Sequence, residues 1–161
     1  MKKPAAAMIG VCALLLVAGC GSSESKSKSA SNGSAAHSLS ATLTPQAVVT
    51  PKGKPVDVPA SLADATGDFS ATLSDENKLS WHISFAKLGN PRLVVADIHV
   101  GPKEKFGPVL LRLCASCKSD QKGVLKLKPS VARQLSIGAQ WVTLITDKYP
   151  NGAIRGQIAV K

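Results

Sequence analysis

The sequence predicts an all-β fold, an antiparallel β-sandwich (Ig-like/Greek-key type) of about eight strands with one short helix. Three observations carry this expectation. From residue 39 onward, apolar and polar residues alternate in short runs, the period of strands with one face buried. Turn-forming pairs such as Asn-Pro and Gly-Pro punctuate the runs. Only one stretch has helical spacing.

The strands read in order as LSATLT (39–44), GDFSATLS (67–74), KLSWHISFA (78–86), LVVADIHV (93–100), PVLLRL (108–113), GVLKLK (123–128), QWVTLIT (140–146) and AIRGQIAV (153–160). Asn90-Pro91, Gly101-Pro102, Gly107-Pro108, residues 120–123 and Pro150-Asn151-Gly152 separate them. The helical stretch is PSVARQLSIG (129–138). It has proline at its start, glycine at its end, and Val131 and Leu135 four apart on one face. Alternation assigns faces. Leu79, Trp81, Ile83 and Phe85 point one way; Ser80, His82 and Ser84 point the other. In the last strand Ile154, Gly156, Ile158 and Val160 are expected inside. Arg155 and Gln157 are expected outside, with Arg155 free to bind an acidic partner or to pair with Asp147. Trp81 and Trp141 are expected to anchor the core.

Ahead of the strands, MKKPAAAMIGVCALLLVAGC has two lysines, then an apolar run too short to span a membrane comfortably. It ends in Leu16-Val17-Ala18-Gly19-Cys20, which resembles the lipobox of bacterial lipoproteins. There the signal peptide (1–19) is cut before a cysteine whose sulfur carries a diacylglyceryl group. Such acylation would place the chain on the cell membrane, lipid-anchored at its extracytoplasmic face. Residues 20–37 then hold the lipidated Cys20 and a Ser/Gly/Ala/Lys tether. The tether has no large apolar residue with which to offset its ordering entropy. Its mean reach is about 24 Å and its stretched limit about 60 Å. Residues 38–161 form the one folded domain.

Cleavage leaves 142 of the 161 residues, with eighteen basic and all ten acidic side chains, for a net charge of +8. The lysines are scattered, and an exported, tethered protein meets no genome, so nucleic acid is not the expected partner. The membrane is, together with a protein or cell-wall polymer.

With strand order set, the motifs resemble the CHRD domain, first described as a repeat in chordin and present in bacterial, notably actinobacterial, secreted proteins. The carrying segments are "GDFSATLSDENKLSWHISFAKL", "ADIHVGPKEKFGPVLLRL" and "KYPNGAIRGQI". The family shows a tryptophan strand, a histidine-any-histidine pair before Gly-Pro, a Gly-Pro-Val strand, and a Tyr-Pro-any-Gly-any-Ile-Arg-Gly-Gln ending. The resemblance implies a secreted β-sandwich and, for bacterial members, no agreed activity. In chordin the domain belongs to an antagonist of extracellular growth factors. Here Asp97 replaces the first histidine of the pair, and Ile145 stands where a histidine usually precedes threonine.

Two groups are candidates for chemistry. Asp97 and His99, two apart on a strand, share a face, and His82 lies on the polar side of another strand; together they would suit zinc or copper. The favoured reading is that Asp97 and His99 bond to loop backbone. Cys114 and Cys117 have redox spacing. They follow a strand rather than open a helix, and no second pair exists for zinc, so a structural disulfide is favoured. No Ser-His-Asp order, phosphate loop or glutamate pair stands out. The leading expectation is a non-enzymatic binding or envelope-interaction module without cofactor. The alternative is a Cu/Zn redox or hydrolytic enzyme using His99, Asp97 and His82.

Overall fold

The computed structural model describes residues 36–161; the signal segment, Cys20 and the tether through residue 35 lie outside the described residues. Two antiparallel sheets pack face to face. The first has five strands: β1 (His37–Leu43), β2 (Thr66–Leu73), β3 (Lys78–Ala86), β6 (Gln121–Lys126) and β9 (Ala159–Val160), ordered β6-β3-β2-β1-β9. The second has four: β4 (Val94–Val100), β5 (Val109–Cys114), β7 (Gln140–Thr146) and β8 (Ile154–Gln157), ordered β5-β4-β7-β8. One helix, α1 (Pro129–Ser136), joins β6 to β7. The all-β sandwich therefore stands, with nine strands among the described residues rather than about eight. His37, placed in the tether by the sequence, instead opens β1 opposite Leu73.

The core is what alternation requires. Leu39, Leu43, Phe69, Leu79, Trp81 and Ile83 come from the five-stranded sheet, and Ala96, Ile98, Val142, Leu144 and Ile154 from the other. Removing one such aliphatic side chain from water contributes roughly 1.5–3 kcal/mol. Ala132 and Leu135 of α1 close one side of this cluster.

The run AIRGQIAV divides. Residues 154–157 pair with β7, and residues 159–160 pair with β1 in the other sheet. Ile158, buried between them, donates its amide to the Gln140 carbonyl. Gly156 makes the crossing possible. A Cβ on it would lie 2.2 Å from the Thr42 carbonyl oxygen, which is β1 backbone and cannot move aside.

The outer faces of the two sheets differ. That of the five-stranded sheet is open and rich in hydroxyls. Register aligns Ser38, Thr72, Ser80 and Val124 in one row, and Ser40, Ser70, His82 and Lys122 in the next. That of the four-stranded sheet is covered by residues 45–58, which begin with a 3-10 turn (Pro45–Ala47), and by residues 101–108.

Candidate functional site

The covered face holds the polar residues that the sequence singles out. Ala96, Ile98, Val142, Leu144 and Ile154 face the core, so the residues between them face the cover. Register sets them in two rows, Asp97–Thr143–Arg155 and His99–Trp141–Gln157. The ladder between β4 and β5 shifts register just before Asp97 and again just before His99, irregularities of the kind that re-aim side chains. All of these residues but Gln157 are buried.

Trp141, Arg155 and His99 of this layer reach loop backbone, while Thr143 Oγ1 is buried without a hydrogen-bond partner among the described residues. Trp141 Nε1 donates to the Gly101 carbonyl (3.2 Å). Arg155 donates through Nη1 to the carbonyls of Lys103 (3.4 Å) and Ala47 (3.5 Å), and through Nη2 to that of Lys105 (2.7 Å). His99 Nδ1 lies 3.1 Å from the Gly107 carbonyl, and because a carbonyl only accepts, the proton is on Nδ1. The carbonyls of residues 101, 103, 105 and 107 are thus all held by three side chains of the sheet. Phe106 adds its ring against His99, with centroids 4.8 Å apart. Gly107 has φ +58°, and a Cβ there would strike the Val100 carbonyl at 1.7 Å, so the loop can turn back onto β5 only with glycine.

The CHRD domain family model matches residues 39–158 of the chain. The chain belongs to the CHRD domain family. No curated protein and no solved structure matches it. The CHRD motifs of this chain accordingly have structural work: "HVGPKEKFGPV" is the loop, and the arginine of "AIRGQ" is its main fastening.

Arg155 corrects the sequence reading. It is 1 % exposed rather than outward and free, and it does not meet Asp147, whose carboxylate accepts the Arg92 amide instead (3.1 Å). Its guanidinium stacks over Trp141, 4.1 Å from the ring centroid. Burial lowers its pKa to about 10, so it remains charged at neutral pH, with carbonyls rather than a carboxylate as partners. Trp141 is likewise buried in this outer layer and not in the core cluster, where Trp81 lies.

The three residues proposed for metal do not meet. Asp97 is gripped by Arg112, Nε to Oδ1 at 2.8 Å and Nη2 to Oδ2 at 3.0 Å. That hydrogen bond, and then the attraction of the charges, raises the Arg112 pKa. His82 is on the open face of the other sheet, its Nε2 3.6 Å from Asp120 Oδ1. The core separates it from Asp97 and His99. Among the described residues no three histidine, cysteine or acidic side chains are grouped to hold a metal ion. The Ile145 position, where the resemblance leads one to expect histidine, is a half-buried apolar residue facing the same side as Thr143.

Cys114 and Cys117 are bonded to each other, with Cα atoms 5.4 Å apart. They stand where the chain leaves β5, an edge of one sheet, for β6, an edge of the other. The Cys117 amide donates to the Val94 carbonyl, which fastens this corner to the start of β4.

Sequence reasoning passed over Arg112 and Thr143. Both show in the alternation as polar residues between apolar ones, but the pattern names a face and not its cover. The signal for the cover was length. Residues 45–58 and 101–108 are proline- and glycine-rich, and loops of that length need a surface to lie on.

Proposed function

We propose that the chain is an extracytoplasmic CHRD-domain lipoprotein, anchored to the cell membrane through Cys20, and that its domain is a non-enzymatic binding module of the envelope. The observation that carries the binding reading is the fate of the polar layer. Asp97, His99, Trp141 and Arg155 are committed to Arg112 or to loop carbonyls, which positions a loop and presents nothing to a substrate. The anchor reading rests on the lipobox and the Ser/Gly/Lys stretch that follows it.

Two measurements test this reading. The mass of the mature chain is expected to equal residues 20–161 plus acyl groups, and Cys20→Ala is expected to leave the detergent phase once cleaved; a cleaved Cys20→Ala chain that still partitions into detergent contradicts the anchor. The Cu/Zn enzyme reading retains one observation, since His99 Nε2 is buried without a hydrogen-bond partner and, in the tautomer that Gly107 imposes, carries a lone pair. Stoichiometric retention of zinc or copper by metal-soaked protein would favour it over the binding module.

A further inference from the structure

The loops that cover Arg155 meet each other. Gly53 lies so close to the Glu104 carbonyl that a Cβ would be 2.3 Å from it. Each loop is a tight turn. In the first, the Thr50 amide donates to the Lys54 carbonyl, the Lys54 amide donates to the Thr50 hydroxyl, and the Gly53 amide donates to the Thr50 carbonyl. In the second, the Lys105 amide donates to the Pro102 carbonyl. Lys52 and Lys54 project from one turn, Lys103 and Lys105 from the other, and all four are exposed. Among the described residues none of the four forms an ion pair; the bridges present are His82–Asp120, Lys87–Asp64 and Arg112–Asp97. Glu104 is the one carboxylate within these two turns.

Beneath them lies a fifth positive charge. Arg155 is 1 % exposed and, among the described residues, has no carboxylate partner and no hydrogen-bond partner for its Nε. A buried guanidinium neutralised only by carbonyl dipoles adds to the field of the lysines above it. Proline at positions 51, 55 and 102, together with the Arg155, Trp141 and His99 bonds, holds the turns in place before any ligand arrives.

We propose that this pair of lysine turns is the docking surface of the module, and that its partner is a linear phosphate-bearing polymer outside the cell. The proposal rests on the binding-module reading and names the partner class. Lysine suits a repeating anion, because flexible ammonium groups act as point charges and need no fixed fork geometry. A bilayer fits less well. Phe106, the one aromatic residue in these turns, is packed inward on His99 and gives no apolar anchor. The N-terminal segment enters at His37, across the length of β1 from the end that runs into the first of the covering loops, roughly 20 Å away for seven residues.

The experiment uses the full chain in neutral detergent, with long-chain polyphosphate as probe. Saturable binding that weakens steeply with salt is expected. Replacing Lys52, Lys54, Lys103 and Lys105 together by Gln is expected to weaken it about tenfold or more, with the thermal midpoint unchanged because all four are exposed. A matched set of exposed lysines without ion pairs among the described residues, Lys78, Lys118, Lys122 and Lys126 to Gln, is expected to weaken it by about twofold or less. Equal losses in the two sets would overturn the proposal in favour of net charge alone, and absence of wild-type binding would overturn it outright. So would displacement of the polymer by phosphatidylglycerol added to the micelles, which would assign the surface to a membrane. If polyphosphate fails while another envelope component binds saturably, the surface is wrong and the binding module stands; turnover dependent on bound metal would sink both.

Discussion

Arg155 shows how one residue can be costly and necessary together. Withdrawing a guanidinium from water is unfavourable, and the downward shift of its pKa to about 10 reports that cost. Three carbonyl bonds and the Trp141 stack offset it. Arg155→Ala leaves those carbonyls unpaired in a buried layer, and is expected to destabilise the domain by about 3 kcal/mol, roughly 10 °C in midpoint. The outward placement that alternation suggests would allow only a degree or two, so a thermal melt separates the readings. Arg112 and Asp97 form an asymmetric pair, the first half-exposed and the second buried. Arg112→Ala strands a buried carboxylate, whereas Asp97→Asn removes the charge along with the bond. The first is therefore expected to cost more than the second by denaturant unfolding. Gly156→Val drives a side chain into the β1 backbone and is expected to cost several kcal/mol or prevent folding; a silent Gly156→Val would mean that β8 does not cross β1 as described.

Among the elements, β3 and β7 have the bounds that the sequence gives them: one face of β3 is apolar at every second position from Leu79 to Phe85, and β7 is a β-branched and aromatic run that buries Val142 and Leu144 in the core. The last run was legible in its inward residues and not in its division. Ile154, Gly156 and Ile158 all face one core, and both sheets line that core, so the pattern passes through the change of sheet unmarked. The candidate site was legible in part. Asp97 and His99 share a face, and His99 bonds to loop backbone as expected, but Arg155 reaches cover residues as far as 108 positions away, beyond any local period. At this scale the loop of residues 101–108 supplies a test. Lys103 and Lys105 are exposed, yet trypsin needs several residues of free backbone around a cleaved bond, and the fastened carbonyls deny it that. Slow cleavage there is expected in the wild type and fast cleavage in Arg155→Ala; equal rates would mean that the bonds do not hold the loop. The Cys114–Cys117 corner encloses a short loop, so replacing both by Ser is expected to cost about 2 kcal/mol with the fold retained.

At the scale of the whole molecule the sandwich is asymmetric. One outer face is an open array of hydroxyls, and the other is a polar layer under two loops that carry four lysines. The edges are handled differently too. Beyond β8 the chain crosses to the opposite sheet at Ile158, while β5 and β6 are joined through the disulfide corner. Stability is expected to follow this plan, highest where the two sheets interlock and lowest in the fastened loops. The most direct measurement is native-state amide hydrogen exchange of the wild type against Arg155→Lys, which keeps the charge and loses the fork. Protection is expected to fall at residues 44–58 and 101–108 while β1, β2 and β3 keep theirs. Unchanged exchange in those loops, or a uniform loss through every strand, would contradict the assignment of Arg155, His99 and Trp141 as the fastening of the lysine loops.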